Sequence, residues 1–201
     1  MIQDGYTPVE AGKIASIVTY LEMRSAPSTP PVLSDPRWVL RRHSAPDVNW
    51  YKKLFRAVGE EWLWFSRLQM RDEELRSILH NDAVDVFALE TGGKEKGILE
   101  LDRRWPEEIE VAFLGVTPDL IGQGAGRFLL SRALEMAWSH HPRRVTLHTC
   151  TLDHPRALEF YRRAGFVPYK RAVEIAPDPR LGGILPLAAA KHCPILTVDT
   201  R

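Results

Sequence analysis

The sequence holds no long apolar run and no block of like charge. The first absence argues against a membrane-spanning helix, which needs roughly 20 consecutive apolar residues. The most apolar late stretch, Gly183 to Ala190, is short and broken by Pro186. The second absence leaves a net charge of +1, from 27 basic and 26 acidic residues. No field of one sign then steers the chain toward nucleic acid or an acidic membrane surface. Cysteine is scarce, with only Cys150 and Cys193. Two thiols make no disulfide framework, and a reducing cytoplasm is the simplest setting. The opening residues Met1 to Tyr6 lack the basic patch and apolar segment of a signal peptide. Internal repeats and low-complexity tracts are missing too.

What is present is an ordinary globular composition. Of 201 residues, 44% are hydrophobic and 26% charged, enough for one domain with its own core. Lys13–Met23 is rich in β-branched residues and is expected to form a strand. Residues 25–36 carry four prolines and three serines and are expected to loop. Arg37 to Arg42 forms a short extended piece. Asp47 is placed to cap a helix over Val48–Val58, which Gly59 ends. A second helix starts at Asp72 with acidic residues in its first turn, as the helix dipole favours. Val84–Glu90, Gly97–Asp102 and Ile109–Val116 follow with short turns between them, an antiparallel meander. Val84, Val86 and Ala88 alternate onto one face.

The period then changes. Gly124–Trp138 brings Phe128, Leu129, Ala133, Leu134, Ala137 and Trp138 onto one helical face. Arg144–Cys150 is a strand. Pro155–Ala164 is a short helix with Pro155 at its first position and Gly165 beyond its end. Phe166–Ile175 returns to strand. The order β-α-α-β-β-β-α-β-α-β implies a single α+β domain around a mixed, mostly antiparallel twisted sheet flanked by helices.

The sharpest local feature is Ile121-Gly122-Gln123-Gly124-Ala125-Gly126, between a strand and an amphipathic helix. Glycines admit positive φ and close approach of a ligand to the backbone. The first N–H groups of the helix have no intrahelical acceptors and face the mouth of the turn, where negative charge is favoured. A pyrophosphate fits that requirement, and Arg127 is placed to add a cationic contact. A dinucleotide fingerprint does not match, because the preceding strand belongs to a meander rather than a parallel unit. A P-loop does not match, because Arg127-Phe128 stands where lysine and a hydroxyl residue belong.

The stretch Val116 to Leu130 resembles the coenzyme A motif of the GCN5-related N-acetyltransferase (GNAT) superfamily, Gln/Arg-x-x-Gly-x-Gly/Ala. Gly124 and Gly126 match its two small positions, and Ile121 departs from its Gln/Arg position. Ala157 to Phe166 resembles the superfamily's second signature, Ala-x-x-Phe-Tyr-x-x-x-Gly-Phe. His154 stands where an Asn is often found. The likeness covers roughly residues 84–176, with an acceptor-side segment before it (1–83) and an extension after it (177–201).

The resemblance implies acetyl-coenzyme A as co-substrate and no metal. It implies that the backbone of Phe113, Leu114, Gly115 and Val116 pairs with the pantetheine arm, on a strand that splays from its neighbour. Main-chain N–H groups of Gly122, Gln123, Gly124, Ala125 and Gly126 then hold the pyrophosphate, with Ile121, Arg127 and His154 beside it. Tyr161 matches the position often used as general acid toward the sulfur. The backbone N–H of Leu114 or Gly115 is the candidate oxyanion donor. Glu110 matches a glutamate that some members use as base, although Glu108 and Glu110 alternate with Ile109 and Val111 in the manner of a wet strand face.

His148 and Cys150 share a strand face with Asp153 and His154 nearby. Their spacing matches no common zinc pattern, and His148 and Cys150 are poorly placed to share a proton; Cys150 is expected to pack as a small hydrophobe. Four of the six tryptophans, Trp38, Trp50, Trp62 and Trp64, fall in one segment, either ordinary core or an aromatic acceptor wall. Arg67 and Arg71, on an exposed helix surface, could face an acceptor carboxylate. The tail adds an edge strand near Ile195–Val198, wraps the sheet, or contacts a second subunit as a homodimer. The expected activity is transfer of an acetyl group to a small-molecule or peptide amine, without nucleic acid or membrane. The alternative is a non-catalytic acyl-coenzyme A binding or regulatory module on the same fold.

Overall fold

The structure is a computed structural model and describes residues 4–27 and 35–197. Residues 28–34 of the proline-rich loop, and Val198 of the expected tail strand, lie outside the described residues.

The strands are β1 (Lys13–Met23), β2 (Val39–His43), β3 (Val84–Thr91), β4 (Lys94–Asp102), β5 (Glu108–Val116), β6 (Arg144–Cys150) and β7 (Val167–Pro177). The helices are α1 (Val48–Gly59), α2 (Asp72–Leu79), α3 (Ala125–Ser139) and α4 (Ala157–Arg163). One sheet runs in the order β2-β3-β4-β5-β6-β1-β7. Neighbours are antiparallel except β5 and β6, which are parallel. The meander occupies one half of the sheet, as its short turns predict. The N-terminal strand β1 joins the other half, between β6 and the edge strand β7.

Alternation sorts the side chains into two cores. Val84, Val86 and Ala88 of β3 face α1 and α2, while Phe87 and Leu89 face α3. Strand β4 is central and buried on both faces from Gly97 to Asp102. The predicted stripe of α3 is buried, with Leu129, Ala133 and Ala137 at zero exposure; Trp138 lies at its partly buried margin.

Several local expectations shift. The extended piece after the proline-rich loop is a full edge strand on β3. Asp47 caps α1 by accepting the Trp50 N–H at 2.9 Å. Gly59 is the last residue of α1 rather than its stop signal, and it has an ordinary right-handed backbone. The constraint there is space, since a Cβ would sit 2.4 Å from Cβ of Trp64. The chain continues through one 3-10 turn, Glu60–Trp62, and turns at Leu63 with φ 52. Helix α4 starts two residues after Pro155, held by the Ala157 N–H donating to the His154 carbonyl at 2.7 Å. Gly165 does follow it with φ +102.

No strand forms over residues 191–197. The extension instead packs Leu185, Ala189 and Ala190 into the core beneath α1. Its hub is buried Arg180, which pairs with Asp178 and donates Nη1 to the carbonyls of Ala189 and Cys193 at 3.1 and 2.7 Å.

Candidate active site

Strand β5 runs beside β4 along its length but meets β6 only from Glu108 to Glu110, opposite Arg144 to Thr146. Past Glu110 the two parallel strands part, and the sheet opens as a V. The V holds a cleft of ≈ 1820 Å³. The backbone of Phe113, Leu114, Gly115 and Val116 lines one arm of it.

A register shift sits inside β5. Glu100 pairs with Phe113 and Leu101 with Val111, so Ala112 is an extra residue, a β-bulge. The bulge reverses the side-chain alternation. Ile109 and Val111, then Leu114 and Val116, face α3. Glu110, then Phe113 and Gly115, face α1. Simple alternation would put Glu110 on the face of Leu114. The bulge instead sets its carboxylate on the face of the aromatic wall.

The glycine turn forms one end of the cleft. After the 3-10 turn Pro118–Leu120, Gly122 and Gly124 take φ of +82 and +93, and Gly124 caps α3. The N–H groups of Ala125, Gly126 and Arg127 begin the helix and have no intrahelical acceptors. A Cβ added at Gly122 or Gly126 meets nothing within 4 Å. The cradle is thus open on the side where the helix end favours an anion, and its residues fit a pyrophosphate.

Ile121 and Arg127 line the cleft, while Ala125 turns its methyl fully inward. Gln123 points away. Its side-chain amide donates to the Asp119 carbonyl at 2.6 Å, and its N–H donates to the Leu120 carbonyl at 3.2 Å. His154 lines the cleft, and its Nδ1 accepts the Arg156 N–H at 3.1 Å. Its ring meets the edge of Trp62 at 5.1 Å.

Further titratable groups line the cleft. Tyr161 lies on α4 against Phe160 and Phe166. Its hydroxyl has no hydrogen-bond partner among the described residues. Burial first, and then the charge of Asp153, pushes it above the usual phenol range, so it keeps its proton at neutral pH. Glu110 lies at the crotch of the V, with Oε1 3.2 Å from Nδ1 of His148. Burial first, then Asp153, also pushes the Cys150 thiol up, which lowers its thiolate fraction and its reactivity.

One wall of the cleft is made by α1 and the segment after it. Trp64 lies over β5 because Gly115 has no side chain; a Cβ there would sit 2.6 Å from Val58 and 2.9 Å from Trp64. Across the V, Trp64 Nε1 donates to Asp153 at 3.0 Å. The second oxygen of Asp153 accepts Thr149 Oγ1 and the Cys150 N–H at 2.7 and 2.9 Å. Behind the wall Glu100, with zero exposure, accepts from Arg67 and from the Tyr51 hydroxyl at 2.5 Å. Burial, then the Glu100 charge, holds that hydroxyl well above its usual range.

The expectation of exposed helix arginines is therefore corrected for Arg67, which is buried and committed to Glu100. Arg71 is exposed and immediately precedes α2. The four tryptophans divide. Trp38 underlies the cradle, 3.2 Å from where a Gly124 Cβ would sit. Trp50 stacks on His43. Trp62 and Trp64 line the cleft.

Sequence reasoning weighed His148 and Asp153 only for a metal site or cysteine-based transfer and set those aside, and it left Trp64 as either core or acceptor wall. His148 and Asp153 were visible as polar residues around β6, but their partners, Glu110 and Trp64, lie 38 and 89 residues away.

A sheet that opens between two parallel strands, a bulge at the opening and a helix-capping glycine cradle together fit an acyltransferase architecture. Residues 48–166 match the profile of the acetyltransferase (GNAT) family, and the chain belongs to that family. It is 30% identical over 128 residues to an uncharacterised N-acetyltransferase (MJ1207) of Methanocaldococcus jannaschii, covering 60% of this chain and 49% of that protein. The chain thus spans about half the length of this curated relative.

Among solved structures, a functionally unknown conserved protein of Staphylococcus epidermidis superposes with a TM-score of 0.60 at 17% identity, over 83% of this chain and 63% of that one. An aminoglycoside acetyltransferase (meta-AAC0020) from an uncultured soil metagenomic sample superposes with a TM-score of 0.53 at 21% identity, over 65% and 89%. These two likenesses concern the fold. Among the described residues no helix is long and apolar enough to cross a membrane.

Proposed function

We propose that this protein moves an acetyl group from acetyl-coenzyme A to an amine by direct transfer within a ternary complex. The observation that carries the reading is the V between β5 and β6: Glu110 lies where the strands part, the glycine cradle follows the far end of β5, and Tyr161 lines the same cleft.

The N–H groups at the start of α3 and in the turn would hold the pyrophosphate. The opened edge of β5 would bind the pantetheine arm through its backbone. The coenzyme supplies the activated acyl group. This chain's own residues orient it, shield it from water and manage the protons. The Leu114 or Gly115 N–H would stabilise the oxyanion. Tyr161 would donate to the departing sulfur, and the Glu110 carboxylate would serve deprotonation of the amine. The protonated state of the Cys150 thiol favours direct transfer over an acyl-enzyme. The acceptor is a small-molecule or peptide amine that enters past the aromatic wall.

The test is thiol release from acetyl-coenzyme A across a panel of amines, amino acids and peptides. Turnover with one or more is expected. Tyr161→Phe should slow that turnover about a hundredfold while leaving coenzyme affinity nearly unchanged. Equal loss of affinity and rate would argue against an acid role. Tight coenzyme binding with no turnover on any acceptor would replace the enzyme by a binding module.

A further inference from the structure

Glu110 does not meet the cleft alone. It is the last β5 residue paired with β6, opposite Thr146. His148 lies two positions further along β6, on the same face and just past the point where the strands part. Its Nδ1 is 3.2 Å from Oε1 of Glu110. A carboxylate only accepts hydrogen bonds, so in the neutral ring the proton belongs on Nδ1 and the lone pair on Nε2. No described residue engages Nε2. The ring is braced by Tyr20, 5.7 Å away, and is half-exposed in the cleft. Glu110 and His148 line the same cleft as Phe113, Leu114, Gly115 and Val116 of β5.

We infer that His148 takes the proton of the acceptor amine, and that Glu110 is its positioning partner rather than the base itself. The inference rests on the transferase reading and refines it. The acceptor ammonium gives one proton to Nε2. The free amine then forms the C–N bond to the thioester carbon, the C–S bond breaks, and the sulfur takes a proton from the Tyr161 hydroxyl. The second proton shed by the nitrogen as the amide forms returns to Tyr161 through water. The proton on His148 leaves to solvent.

The surroundings suit a base that works near neutral pH. Glu110 of β5, Asp153 after β6 and Glu174 of β7 are all acidic, while Tyr20 of β1 presents a ring that carries Lys170 of β7 on it. The Glu110 hydrogen bond, aided by the other carboxylates, raises His148 above the usual imidazole value against the opposing effect of burial. The neutral form is the active one. The rate should therefore rise with pH along a limb centred above about 6.5.

His148→Ala, His148→Gln and Glu110→Gln test this, assayed from roughly pH 5.5 to 9 with an amine the wild type acetylates. The His148 variants should lower kcat/KM about a hundredfold or more at unchanged coenzyme affinity and erase the acid limb. Added imidazole should restore part of the rate to His148→Ala. Glu110→Gln should move the limb to lower pH. In parallel, NMR titration of the His148 ring should fall back toward the ordinary value in Glu110→Gln, a readout that needs no activity.

A His148→Ala enzyme with near wild-type rate and an intact limb would overturn the inference and leave Glu110 as the base. Loss without imidazole rescue and with an unmoved limb would make His148 merely structural and overturn it as well. A wild type that binds coenzyme but acetylates nothing would sink the transferase reading itself, and this inference with it.

Discussion

Two parts of the cleft are built by opposite means. The aromatic wall is side chains in contact: Trp64 in the space left by Gly59 and Gly115, Phe55 and Trp64 against Phe113, and Arg67 locked to buried Glu100. The glycine cradle is backbone with empty space in front of it, where a Cβ at Gly122 or Gly126 touches nothing. Stability should therefore concentrate on the wall, and coenzyme recognition on the cradle.

The comparison breaks if substitutions do not sort that way. Glu100→Gln should be the costliest to the fold, about 3–5 kcal/mol by chemical denaturation, because it leaves Arg67 charged, buried and unpaired. Gly115→Val should cost about 1–3 kcal/mol from overpacking against Val58 and Trp64, and should also lower turnover by moving Trp64. Lys96→Ala removes an exposed ion pair with Asp119 beside the cradle. Its effect on the melting transition should stay under about 1 kcal/mol. Gly126→Val should change stability least, by about 0.5 kcal/mol, yet lower coenzyme affinity at least about tenfold in a titration, because its side chain enters the anion site. Normal binding by that variant would sink the cradle assignment. Severe unfolding would remove the contrast between the two parts.

The cradle was legible in the chain because its chemistry is local. Gly122, Gly124 and the start of α3 are neighbours in sequence, and positive φ together with unpaired N–H groups follow from a few consecutive residues. The helices were legible for the same reason, through the cap at Asp47 and the stripe on α3. The wall was not. Arg67 looks like a surface arginine until β4 brings Glu100 beneath it. Gly59 looks like a helix stop until Trp64 folds back over it. The bulge at Ala112 leaves no mark in the residues themselves, yet it decides which face Glu110 occupies.

By itself, the sequence determined the α+β element order apart from the edge strand β2, together with the glycine turn and the family motifs, since each depends on short-range periodicity and backbone preference. Only the tertiary structure decided that β5 and β6 part after Glu110, that His148 stands beside that carboxylate, and that the tail packs under α1 around Arg180. Those are pairings between residues far apart in the chain. Sheet register, a bulge and the burial of charge fix them, and none of these is expressed in the spacing of neighbouring residues.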